Sequence, residues 1–336
     1  MTRTLSGVKP TGHLTLGNYL GALRRWAEED QHRADSLFFV ADLHALTVEH
    51  DPARVRRLSR QAASLLLAAG LDPQVCTLFV QSHVDEHARL SYLLECVATD
   101  GEMRRMIQYK EKSARAQAAG QGVRLSLLTY PVLMAADILA YGADEVPVGE
   151  DQTQHVELTR DLAERFNQRY GATFVVPRAT RPAAAARVMD LQDPASKMGK
   201  SHAATAGIVY LLDEPDVIAK KVMRAVTDSE PGVTFDRAAR PGAANLLEIL
   251  AACTGKDPEA LAAAYDADGA GFGAIKRDTA EAVVELLRPL RARHAELSAD
   301  QGYLDRILRE GAARAREVAR PTVDAAYRAV GLLPAS

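Results

Sequence analysis

Ser6-Gly7-Val8-Lys9-Pro10-Thr11-Gly12-His13-Leu14-Thr15-Leu16-Gly17-Asn18 is the stretch on which the fold turns. A short strand at about 3–6 runs into a glycine-rich turn, and a helix opens near Asn18. Gly12 and Gly17 let the backbone come close to a ligand. A helix N-terminus offers N–H groups and the positive end of its dipole to phosphate. Thr15 and Asn18 add side-chain donors three residues apart on one turn. Such loops also connect strands to helices with no ligand, so glycine spacing alone leaves both readings equally open.

Outward from this stretch, apolar runs alternate with helical patterns up to about residue 180. The runs 36–41, 76–80 and 145–148 read as strands, the last weakened by Pro147. In 53–69, Val55, Leu58, Ala62, Leu65, Leu66 and Ala69 recur at helical spacing, with Gly70 as a C-terminal cap. In 152–169, Val156, Leu158, Leu162 and Phe166 share one side, with Asp151 as a cap and Gly171 after the end. Strand–helix alternation implies a doubly wound parallel sheet of α/β class, whose ligand sits at the carboxyl ends of its strands. Beyond about 205 the strand signals fade and the chain reads as helical. One helix carries Ile275, Val283, Leu286, Leu287 and Leu290, kinked or broken at Pro289, and another carries Leu304, Ile307, Leu308, Ala315 and Val318. The expected division is a Rossmann-like domain over 1–205 and an α-helical domain over 206–336.

Composition bounds the function. At 336 residues, 47% hydrophobic and 25% charged, the chain reads as a globular protein of about two domains. A net charge of −3 argues against coating nucleic acid by bulk charge, but leaves local basic faces open. Three scattered cysteines, Cys76, Cys96 and Cys253, form no disulfide framework or metal pair, and as buried thiols need no further role. The N-terminal residues lack the apolar stretch of a signal peptide, and no run is long enough to span a bilayer. A reduced, cytoplasmic protein is expected. His83 and His87 are spaced i,i+4, but no third ligand is evident, so no metal site is expected. Trp26 reads as a packing or interface residue.

Two further motifs carry chemistry. Lys197-Met198-Gly199-Lys200-Ser201 places two lysines and a serine around a glycine, where mobile ammonium groups can follow phosphate charge; it also suits a solvated loop. Gly149-Glu150-Asp151-Gln152 falls between a strand end and a helix start, where carboxylates either cap the helix or hold a ribose hydroxyl.

In this order, the motifs resemble those of the bacterial-type tryptophanyl-tRNA synthetases, members of the class I aminoacyl-tRNA synthetases. Thr15 to Asn18 is similar to this family's form of the HIGH signature, and Lys197 to Ser201 to its KMSKS loop. More specific are Tyr130-Pro-Val-Leu-Met-Ala-Ala-Asp137, Gly149-Glu-Asp-Gln-Thr-Gln-His155 and Glu157-Leu-Thr-Arg-Asp-Leu-Ala-Glu-Arg-Phe-Asn167. The resemblance runs over roughly 3–333.

The resemblance implies that tryptophan attacks the α-phosphate of ATP and that the adenylate then acylates tRNA(Trp). It implies ATP contacts from Lys9, Pro10, Thr11, Thr15, Gly17, Asn18 and Glu150, ribose contacts from Gly149 and Asp151, and adenine contacts from the backbones of Val188 and Met198. Lys112, Lys197, Lys200 and Ser201, with Gly199 between them, would face the triphosphate and leaving pyrophosphate, with Mg²⁺ carried on the nucleotide. Asp137 would accept the indole N–H and Met134 would pack on the ring. Tyr130 and Gln152 would hold the α-amino group, His44 would lie near the carboxylate, and Gly7 would line the pocket. The resemblance also implies a homodimer with its contact around 70–130 and an anticodon-binding helical half. There the basic clusters Lys220, Lys221 and Arg224, then Arg288, Arg291 and Arg293, then Arg306, Arg309, Arg314 and Arg316 would meet tRNA phosphate, although each also suits a solvated helix face.

Departures from the pattern cluster around the nucleotide. Gly199 stands for the usual serine, His202 for a common aspartate and Lys9 for a common glutamine, and 114–125 is longer and more basic than usual. They point to a specialised isoform with altered sensitivity to inhibitors that mimic tryptophan. Three rivals are a paralogue that passes activated tryptophan to a small molecule or carrier, a tyrosine-specific synthetase, and a tRNA-binding protein without catalysis. The Met134/Asp137 pair counts against the second, and the retained lysines against the third.

Overall fold

The computed structural model describes residues 3–33, 35–147, 149, 152–180, 187–199 and 205–333. Strands β1 (Leu5–Val8), β2 (Leu37–Val40) and β3 (Thr77–Val80) pair in parallel, with Leu5 opposite Leu37 and Leu37 opposite Thr77. Strands β4 (Glu145–Pro147) and β5 (Arg178–Thr180) form a second parallel pair. A parallel bridge between Thr4 and Glu145 joins the two pieces, so the order is β3-β2-β1-β4-β5. The direction of winding reverses between β1 and β4, which sets a crevice at the carboxyl ends of those strands.

The strands at 37–40 and 77–80 lie where the apolar runs place them. The first begins later than expected: Gly7 and Val8, read as turn, pair with Phe39 and Val40. Strand β5 has no counterpart in the sequence reading. Its residues Arg178-Ala179-Thr180 are short and partly exposed, without apolar alternation.

The first crossover contains α1 (Leu16–Asn18), a π-helical turn (Tyr19–Leu23) and α2 (Arg24–Glu28). Helix α3 (Pro52–Ala68) starts where the Asp51 side chain accepts from the N–H groups of Ala53 and Arg54. The remaining helices of this half are α4 (Glu86–Glu95), α5 (Asp100–Arg105), α6 (Ile107–Ala118), α7 (Leu125–Leu139) and α8 (Thr153–Tyr170). The chain continues through α9 (Pro215–Met223), α10 (Pro241–Thr254), α11 (Pro258–Ala267), α12 (Phe272–Ala299) and α13 (Gln301–Ala329).

Pro289 does not break α12. Leu287 and Leu290 on either side of it are both buried, and packing on both flanks holds the helix through the missing backbone hydrogen bond. The core does not change hands at residue 205. Phe38, Val40 and Leu78 pack with α3, α10 and α12, while Leu5, Leu37, Phe39 and Phe79 pack with α4, α7, α8 and Ala312–Ala326 of α13. Helix α13 therefore covers the edge strand β3. It lies so close that a Cβ on Gly311 would fall 1.8 Å from the Leu78 carbonyl oxygen.

Among the cysteines, Cys76 is buried and Cys253 partly so, and burial pushes both thiols up to about 12. Cys96 corrects the expectation of a buried thiol: it is exposed at the end of α4. No helix among the described residues is long and apolar enough to cross a membrane.

Candidate active site

A cavity of about 1050 Å³ opens at the switch point, between the ends of β1 and β4 and under α6 and α7. It brings together most of the residues singled out in the sequence. Gly7, Lys9, Gly17, Asn18, His44, Lys112, Tyr130, Met134, Asp137, Gly149, Gln152, Lys197 and Met198 all line it. Glu150, Asp151, Lys200, Ser201 and His202 lie outside the described residues. So does the expected Asp151 cap, and the described N-cap residue of α8 is Gln152. Pro10, Thr11 and Val188 are not among the lining residues.

The start of α1 explains one correction. Thr15 is fully buried and caps the helix. Its backbone N–H donates to Asn18 Oδ1 at 3.0 Å, and Asn18 N–H donates back to Thr15 Oγ1 at 3.2 Å. Thr15 thus shapes the helix entrance rather than facing the cavity, while Asn18 does both. Leu16 N–H donates to the Val209 carbonyl and Leu211 N–H to the Leu14 carbonyl, so the turn is laced to the chain that follows the lysine loop.

One donor and one acceptor of the two backbones expected to meet adenine pair with each other. Met198 N–H donates to the Val188 carbonyl at 3.0 Å, and both side chains are buried. This pairing closes a hairpin that presents Lys197, exposed, to the cavity.

Two ammonium groups flank one ring: Lys9 Nζ lies 5.0 Å and Lys112 Nζ 5.3 Å from the Tyr130 centroid. Burial and the neighbouring Lys112 pull the Lys9 pKa down to about 8, against a smaller opposing pull from Asp137. Lys112 also donates to Gln108 Oε1 at 3.0 Å. The Tyr130 hydroxyl lies 3.2 Å from the same oxygen and 2.9 Å from His155 Nε2, so the group expected on the α-amino function already sits in a polar network.

Asp137 is 2% exposed at the cavity floor. Burial by itself would raise its pKa, but His44 and His87 outweigh that and hold it near 2. His44 Nε2 donates to Oδ2 at 2.7 Å. The His44 ring is buried, and its Nδ1 has no hydrogen-bond partner in the structure.

Sequence reasoning missed several groups. Arg115 and Arg187 line the cavity, and so does Trp26, which also packs on Phe38 at 5.4 Å between centroids. Gln81 and His87, which bind Asp137 from behind, carry no local signal, because their partner lies some fifty residues away. The basic clusters of the helical half are partly engaged inside the protein. Lys221 donates to the Ile208 carbonyl and Asp213, Arg291 to the Asp213 carbonyl, Arg314 to the Pro73 carbonyl and Arg316 to the His83 carbonyl.

The fold and cavity define an α/β protein whose crevice at the carboxyl ends of its parallel strands sets a buried carboxylate, Asp137, beside several lysines. The profile of the class I tRNA synthetases for tryptophan and tyrosine matches residues 1–288. The "Tryptophan--tRNA ligase 1" of Streptomyces coelicolor is 78% identical, with 99% of this chain and 98% of that protein covered. A tryptophanyl-tRNA synthetase structure from Mycoplasma pneumoniae superposes at a TM-score of 0.88 and 36% identity, covering 99% and 98% of the two chains. One from Campylobacter jejuni, complexed with ADP and tryptophan, gives 0.85 and 31%, covering 98% and 100%. The chain belongs to the bacterial tryptophanyl-tRNA synthetases.

Proposed function

We infer that the protein activates L-tryptophan with ATP and transfers it from the adenylate to the 3′ end of tRNA(Trp). The observation that carries this reading is the shared cavity. A buried, ionised carboxylate that can accept an indole N–H faces the same space as Lys9, Lys112 and Lys197. The Campylobacter jejuni structure, with ADP and tryptophan in one protein of this fold, supports it.

Activation needs no protein nucleophile. A tryptophan carboxylate oxygen bonds to the α-phosphorus and the bond to pyrophosphate breaks. The cavity's task is to hold the two in line and to neutralise the charge that grows on the leaving group. Lys112 and Lys197 do the second. Met134 and Asp137 fix the indole, which orients the carboxylate for attack. Lys9, Lys112, Arg115, Arg187 and Lys197 of the cavity lining would hold a nucleotide that carries its own Mg²⁺, and the metal would add charge neutralisation on the phosphates. In the second step the terminal ribose hydroxyl bonds to the acyl carbon and AMP leaves. A cytoplasmic homodimer, with the helical half turned to the anticodon, completes the proposal.

Tryptophan-dependent ATP–pyrophosphate exchange tests it, with tyrosine as the control and tRNA(Trp) charging in the same preparation. Exchange with tryptophan alone, followed by charging, is expected. Exchange without charging would favour the paralogue that loads a small molecule or carrier. Lys197→Ala should lower the exchange kcat about 10²-fold with little change in the tryptophan KM.

Lys9 carries the specialised-isoform reading. Its ammonium is lost near pH 8, so the KM for ATP should rise as the pH passes upward through about 8. The Lys9→Gln variant should show no such rise, and its inhibition constants for tryptophan analogues should differ from the parent's. The same depressed pKa makes folding stability increase with pH from about 8 toward the ordinary lysine value of 10.5, because the unfolded chain binds the extra proton.

A further inference from the structure

We propose that His87, locked by Tyr141, is a positioning residue for tryptophan selection: it aims the Asp137 carboxylate so that one acceptor site faces the indole N–H. The proposal rests on the reading that this cavity activates tryptophan.

An ionised carboxylate offers about four acceptor directions on its two oxygens. Three are occupied. Asp137 Oδ1 accepts from Gln81 Nε2 and from His87 Nδ1, each at 2.7 Å, and Oδ2 accepts from His44 Nε2 at 2.7 Å. The fourth direction, on Oδ2, is left for a ligand donor, and Asp137 lines the cavity. The two partners on Oδ1, acting with His44 on Oδ2, therefore decide where that last lone pair points.

Of these two, His87 has the more constrained geometry. A carboxylate cannot donate, so the ring nitrogen facing it must carry the proton. In the neutral ring Nε2 is then an acceptor, and the Tyr141 hydroxyl donates to it at 2.8 Å. Without that hydroxyl the ring could take the other tautomer and turn a lone pair on Oδ1. Rotation is blocked as well. The ring is fully buried among Phe39, Phe79 and Tyr141, with centroids 6.0, 5.9 and 5.4 Å away. Helix α4, which carries His87, is tied to α13 by Arg89 with Asp324 at 3.2 Å and by Arg316 with the buried Glu86 at 3.8 Å. His87 does not line the cavity, so it acts only through Asp137.

The test compares tryptophan with its benzothienyl isostere, in which sulfur replaces the indole N–H, by ATP–pyrophosphate exchange. The parent protein should prefer tryptophan by at least about 10² in kcat/KM, because the isostere leaves the acceptor unpaired. His87→Leu should cut that preference at least 10-fold by slowing the tryptophan reaction and leaving the isostere nearly unchanged. Tyr141→Phe should cut it several-fold. His87→Asn, which can keep a donor on Oδ1, should restore part of it. Parallel losses on both substrates, with the preference intact, would overturn the proposal. So would the loss of a cooperative thermal transition in both His87→Leu and Tyr141→Phe, since the network would then serve the core alone. A parent protein without tryptophan-dependent exchange would instead remove the underlying reading.

Discussion

Asp137→Ala is expected to lower both stability and activity more than any other single change in the cavity. The substitution deletes a carboxylate that three buried donors share and leaves Gln81, His44 and His87 facing a void. Breaking a buried, hydrogen-bonded charge from one side costs about 3–5 kcal/mol, which a urea or thermal melt would read directly. Asp137→Asn keeps the shape and separates the two effects. Its amide must turn its NH₂ toward at least one of the existing donors, so the remaining acceptor is lost or misdirected. The tryptophan-dependent kcat/KM should fall at least about 10³-fold, as it does when a site built around a polar partner loses it. Nucleotide affinity without tryptophan should stay near the parent value. An Asn variant that activates tryptophan at the parent rate would show that the indole N–H finds its acceptor elsewhere.

The sign of the pH effect follows from the same contacts. The folded pKa near 2 lies below the ordinary 3.8, so the stabilisation from Asp137 is complete above about pH 4 and is lost as the pH falls toward 2. The parent's acid transition should therefore flatten in Asp137→Asn over that window.

Why some of this was legible in the chain and some not comes down to how local the cause is. The runs at 37–40 and 77–80 announce themselves because a strand buried on both faces is apolar throughout. Gly7 at β1 looks like a turn residue in the sequence, and only its pairing with Phe39 makes it strand. A Cβ there would meet the Phe39 ring at 2.7 Å, so the glycine marks close packing. Spacing marks Thr15 and Asn18 as a pair, but cannot tell a pair that binds a ligand from one that caps a helix. Asp137 and Met134 are legible only through the family pattern. His87 reads as half of an incomplete metal site, because nothing near it in sequence says that α4 crosses the end of α7, where Asp137 stands and Tyr141 follows.

Gly17→Ala should uncouple the cavity from its lysine loop without unfolding the protein. A Cβ on Gly17 would lie 2.9 Å from the Met198 carbonyl oxygen and 3.4 Å from the Met198 Cβ. The nearer of these is backbone, and it cannot retreat cheaply. Met198 N–H is tied to the Val188 carbonyl, and the Met198 side chain is buried in the core. The helix start cannot retreat either, since Thr15 and Asn18 cap it and Leu16 is bonded to Val209. The strain is therefore relieved by shifting the hairpin that ends in Lys197, by several tenths of an ångström or more. Overpacking of this kind costs about 1–3 kcal/mol of stability. The catalytic cost is larger, because a displacement near 1 Å in a group that must meet a transition state can cost about 10²-fold. We expect adenylate formation to slow at least that much, through kcat rather than the tryptophan KM, with a modest shift in the melting temperature. Gly273→Ala is the control. Its Cβ would meet only the flexible end of Arg277 at 3.6 Å, in the first turn of α12, so activity should not change. Parent-like adenylate formation by Gly17→Ala would mean that the close seat of the loop on the helix start is a matter of packing, and that Lys197 finds the phosphates from elsewhere.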